Sequence, residues 1–186
     1  ARGHCDVLVI ENHGLVVGGD SVGETSALMQ MVETRLATEP RAMLPPQPGL
    51  VAEACANTDF MAAPGDIIHQ LALRAEGLAL ASAGSLYPDH VVFLGSAIAR
   101  ADSAAELRAF CRAESDDPLR PKAVALQGAG VAHAKSLSPG GIEMLAALAQ
   151  VCRRAPEDLQ ARYLTRAEEW ELADWDAEKY RQALDG

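Results

Sequence analysis

An α/β fold is what the sequence predicts, and three features predict it. Short apolar runs of β-forming residues alternate with longer stretches of helical periodicity. Ser or Thr stands three residues before Glu at several of the helix starts. Glycine-rich corners separate the runs.

The elements follow in order. Residues 5–10 read as a buried strand, with Val7, Leu8, Val9 and Ile10 in sequence, and Leu15-Val16-Val17 as a second. Asn12-His13-Gly14 between them suits a tight reversal, because Asn and Gly tolerate positive φ. Gly18-Gly19 end the strand. Ser21 and Glu24 then form a capping box for a helix with Leu28, Met31, Val32 and Leu36 on one face. Pro40 bounds that helix, and "LPPQPGL" at 44–50 reads as a linker.

Beyond it, residues 66–82 predict one helix with Ile68, Leu71, Ala75 and Leu78 inward. "YPDHVVFLG" at 87–95 predicts a turn and then a strand. Ser103 and Glu106 cap a helix carrying Leu107 and Phe110. "AVALQGAGVAHA" at 123–134 predicts two short strands around a Gly-Ala-Gly corner. Ser138-Pro139 opens a helix with Ile142, Leu145 and Cys152 inward. Thr165 and Glu168 cap a further helix, and "DWDAEKYRQAL" predicts a helical close.

Composition narrows the function. A chain of 186 residues suits one medium domain or two small ones. Its net charge of −10 opposes a phosphate backbone and an anionic membrane surface. Nucleic acid and membrane are therefore not expected partners, and no run of eighteen apolar residues would span a bilayer. Cys5, Cys55, Cys111 and Cys152 form no CxxC and read as buried free thiols of a reducing, cytoplasmic compartment. The chain opens on "ARGHCDVLVI", without Met, and enters a strand almost at once; the expectation is a piece of a longer polypeptide.

An internal comparison adds a repeat. Residues 6–21 align with 122–137 so that Gly14 meets Gly130, and Ala129 takes the place of His13. This suggests a duplicated strand–corner–strand–helix unit, one copy lacking the polar group.

His13 is the candidate site residue. Taken alone, a histidine beside a turn glycine is an ordinary turn residue, and no HxH, HExxH or CxxC supplies partners for it. Gly18-Gly19 before a helix could cradle phosphate, but Asp20 at the helix start would repel it. Gly128-x-Gly130 lacks the third glycine of a dinucleotide fingerprint. Asp89-His90 reads as a strand-entry turn, and His133 as structural.

"LVIENHGLVVGGDSVGETSALMQMVETRL", residues 8–36, resembles the C-terminal part of a class II (zinc-dependent) aldolase domain of the aldolase/adducin superfamily. The shared order is strand, Asn-His-Gly-Leu, short strand, glycine, and a long helix with a Glu near its middle, here Glu33. "SLYPDHVVFLG" and "DWDAEKYRQAL" are similar to the long C-terminal extension of the rhamnulose-1-phosphate aldolase-like subgroup.

The resemblance implies a three-layer α/β/α aldolase domain with a largely antiparallel central sheet, present here only in part. Residues 1–43 would give its last strands and helix, 44–49 a Pro-rich linker, and 50–186 an α/β extension that would be a degenerate half-repeat. It implies a lyase: metal-dependent aldol cleavage of a sugar phosphate of the deoxyketose 1-phosphate class. His13 would be the third ligand of a divalent metal, zinc by the resemblance, acting as a Lewis acid. The His-x-His pair, the acid/base Glu and the phosphate-binding loop would belong to a missing N-terminal aldolase half. The family also implies a homo-oligomer, a tetramer. A phosphopentose 4-epimerase and a non-catalytic adducin-like assembly module are the alternatives within the superfamily.

Overall fold

The computed structural model describes residues 6–176 and 180. The chain divides into two compact units, the first ending at Glu39 and the second beginning at Pro40.

The first unit is a hairpin and a helix. Strands β1 (Val7–Ile10) and β2 (Gly14–Val17) pair antiparallel, from Val7 opposite Val17 to Ile10 opposite Gly14. Helix α1 (Val22–Leu36) follows. The Ser21 hydroxyl accepts the Glu24 N–H at 3.2 Å, while the Glu24 carboxylate accepts the N–H of Asp20 at 3.1 Å. The expected capping box thus closes one residue early. On the expected helical face Leu28 and Val32 are half-buried, but Met31 and Leu36 are exposed, and α1 has no buried residue.

The second unit is built on a four-stranded sheet, in the order β3 (Phe60–Ala62), β6 (Gly130–Ala134), β5 (Ala123–Leu126), β4 (Ala99–Ala101). β3, β6 and β5 are antiparallel neighbours, and β4 lies parallel to β5. β5 is buried at every position because both faces are covered. Ala123 and Ala125 join one apolar cluster, with Ile68, Leu71, Leu78, Leu145 and Leu148. Val124 and Leu126 join another, with Val51, Phe60 and Leu107. The first comprises residues of α3 (Asp66–Leu73), α4 (Ala75–Ser82) and α7 (Pro139–Arg154). The second comprises residues of α2 (Pro48–Ala54) and α6 (Ala104–Arg112). Helices thus cover both faces of this sheet, an α/β arrangement. Each buried Leu or Ile stabilises it by roughly 1.5–3 kcal/mol.

Two expectations are corrected. Residues 87–95 hold a helix, α5 (Pro88–Leu94), not a strand. Pro88 sits in its first turn, and His90, Val91 and Leu94 share a buried face, so burial overrides the β-preference of Val-Val-Phe. Residues 66–82 form two helices, because Arg74 is extended (φ −125°, ψ 135°). The carbonyl of Ala72 accepts the N–H of Gly128 at 2.8 Å, and Arg74 donates to the carbonyl of Ala42 at 3.1 Å. Tertiary bonds thus replace a continuous ladder.

The Pro-rich stretch is tied to this unit: Gln70 both donates to and accepts from the Leu44 backbone, each bond 2.9 Å long. α8 (Arg166–Asp174) opens with the expected capping box at Thr165. Most of the expected closing helix, like Cys5, lies outside the described residues. Among the described residues no helix is long and apolar enough to cross a membrane.

Candidate functional site

His13 ends a tight turn. Its N–H donates to the Ile10 carbonyl at 3.1 Å, and Asn12 takes φ +54° inside the reversal. Gly18 donates to the Asp6 carbonyl at 2.9 Å and closes the base of the hairpin. The backbone under His13 is therefore well fixed, while the imidazole is exposed. Glu33 is exposed on α1.

The β5–β6 corner repeats this geometry at an offset of 116 residues. Ala129 donates to the Leu126 carbonyl at 3.0 Å, Gly128 takes φ +77°, and Ala134 donates to the Lys122 carbonyl at 2.8 Å. Leu126 stands opposite Gly130 as Ile10 stands opposite Gly14. Each hairpin leads into a helix capped by a serine, Ser21 or Ser138. The structural match extends to these two backbone bonds, with Ala129 in the place of His13.

The remaining described histidines, His69, His90 and His133, belong to the second unit. His69, on α3, is buried, and its Nδ1 accepts the Val131 N–H at 3.0 Å. Burial pushes its pKa down. His133 is buried on β6 with Nδ1 2.8 Å from the Ala134 carbonyl oxygen. His90 is wholly buried beside Tyr87, and neither ring nitrogen makes a well-formed hydrogen bond among the described residues. Burial lowers its pKa to about 4, and the Ala97 backbone opposes this only weakly. It is a core residue of α5, not part of a strand-entry turn. Cys55, Cys111 and Cys152 are free and buried, and burial raises the Cys152 thiol to about 12. Among the described residues no group of three or more His, Cys, Asp or Glu converges on a point where a metal could sit.

Sequence reasoning missed a cationic cavity in the second unit. Arg120, Lys122 and Lys135 line a space of about 580 Å³. The signal was "PLRPK" at 118–122, where prolines stiffen a loop carrying two cations into β5.

Comparison of this chain with known protein families, with curated proteins and with solved structures returns no match.

Proposed function

We propose that this chain is part of a class II aldolase that cleaves a sugar phosphate, with His13 contributing one imidazole to its divalent-metal centre, a zinc site. One observation carries the reading: the Asn-His-Gly corner is a hydrogen-bonded turn that holds His13 exposed between two strands and ahead of a capped helix. A metal ligand needs such a fixed backbone and a free ring.

The described residues on their own do not fit a metal ion. A zinc site takes three or four protein ligands, and no group of three such side chains is found among the described residues. The reading assigns the other ligands to residues outside the described ones, in the N-terminal aldolase half that the resemblance implies.

The first unit also supports an assembly role. Leu8, Val9, Val16 and Val22 are half or more exposed on a hairpin and helix. That much apolar surface calls for cover by other protein. An adducin-like module would use it without catalysis; an oligomeric aldolase would use it as well.

Metal removal separates the two. Dialysis of the whole protein against a chelator should abolish cleavage of a ketose 1-phosphate, and zinc or another divalent ion should restore it. A protein that binds no divalent ion and cleaves no ketose phosphate belongs to the assembly reading.

A further inference from the structure

This acidic chain gathers cations at the open end of the β5–β6 hairpin. Lys122 immediately precedes β5 and Lys135 immediately follows β6. The Ala134 N–H donates to the Lys122 carbonyl, which fixes the two lysines near one another. Lys122 N–H donates to the Leu94 carbonyl at 2.8 Å, and Lys135 N–H to the Asp59 carbonyl at 2.8 Å. Arg120 donates to the Phe110 carbonyl at 2.6 Å, with its guanidinium 5.0 Å from the centre of the Phe110 ring. The backbone at Arg120 is also held close: a β-carbon on Gly95 would collide with its carbonyl oxygen. All three cations therefore stand on backbone that is already pinned.

Their donors are largely uncommitted. The Lys122 ammonium is half-buried and forms no ion pair among the described residues; burial alone pulls its pKa down. Lys135 Nζ makes one bond, to the Thr58 carbonyl at 2.7 Å, leaving two donors. Arg120 uses one of its five N–H groups. Two carboxylates share the cavity wall. Asp117 is already satisfied, by Arg166 at 2.6 Å and the Leu119 N–H at 3.0 Å. Asp59 leaves the three cations in excess.

We propose that this cavity binds a dianion of the phosphate class, held by Lys122, Lys135 and Arg120. A single guanidinium satisfies a carboxylate, whereas three cations around one space match a group with three terminal oxygens and two charges. The volume of about 580 Å³ admits a small phosphate monoester as well as free phosphate. The inference uses residues of the second unit alone and does not rest on His13 or on aldol chemistry.

Isothermal titration of the full chain at low ionic strength, with inorganic phosphate and separately with fructose 1-phosphate, tests it. Saturable binding of either is expected, and the tighter of the two identifies the source of the phosphate. Lys122→Gln and Lys135→Gln should each weaken binding about tenfold, as expected for one charged hydrogen bond, with circular dichroism unchanged. Arg154→Gln, which replaces a cation outside the cavity wall, should leave it as it was. No saturation by about 20 mM of either ligand, far weaker than such contacts give, would overturn the proposal. So would equal affinity in the parent and both lysine variants, or an equal loss in Arg154→Gln.

Discussion

Gly130 has no room for a side chain. A β-carbon there would lie 2.5 Å from Nδ1 of His69, the atom that accepts the Val131 N–H. Gly130→Ala should therefore cost about 2–4 kcal/mol in urea unfolding, as overpacking at a buried bond does. Adding His69→Ala should recover part of that loss, and simple additivity of the two changes would contradict the contact. His90 gives a pH dependence. Its folded pKa of about 4 lies below the unfolded value of 6.5, so the fold disfavours the charged ring. Its contribution is fully present above pH 6.5 and is lost as pH falls toward 4. Stability should drop by about 2 kcal/mol between pH 7 and pH 5 from this group, and His90→Leu should remove that component. At this scale the sequence was partly legible. The Asn-His-Gly reversal announced a turn through residue types that accept positive φ. The orphaned ring of His90 did not announce itself, because its burial comes from residues distant in sequence.

Helix starts were the most legible elements, since caps are local chemistry. Ser103, Ser138 and Thr165 all accept the N–H three residues on, as their spacing implies. Ser138→Ala should cost about 1 kcal/mol, measured by thermal or urea unfolding. An unchanged midpoint would mean that the cap contributes nothing. Elements made by long-range bonds were illegible. β3 and β4 are three residues each, too short for a periodic signal, and exist because β6 and β5 pair with them. The break at Arg74 depends on Gly128 and Ala42, both more than thirty residues away. The α5 helix was misread because Val-Val-Phe favours strands until one face is buried. The repeated hairpin was legible at low identity because its corner needs particular residues: Gly at 14 and 130, and Asn or Gly at the positive-φ position.

For the whole molecule, the two units differ in self-sufficiency. Both apolar clusters of the second unit draw only on residues beyond Glu39. A chain beginning at Pro40 should therefore unfold cooperatively with a midpoint within a few degrees of the parent; loss of cooperativity would show that the first unit completes its core. Residues 1–39 alone should be largely unstructured by circular dichroism, because a hairpin and one helix bury too little surface to offset their ordering entropy. The α/β class was legible, since alternating patterns declare it. The proposed metal centre rests on His13 alone, because its other ligands would come from residues that no local pattern of this chain supplies.

The measurement that tests the proposed function most directly is retro-aldol cleavage of a ketose 1-phosphate, with metal content, by the whole protein and by its His13→Ala form. The account predicts about one divalent ion per subunit in the parent, as one three-histidine site would hold. It predicts a loss of cleavage of about 100-fold or more in the variant, with circular dichroism and melting midpoint preserved because the side chain is exposed. Undiminished cleavage and metal content in His13→Ala would contradict it.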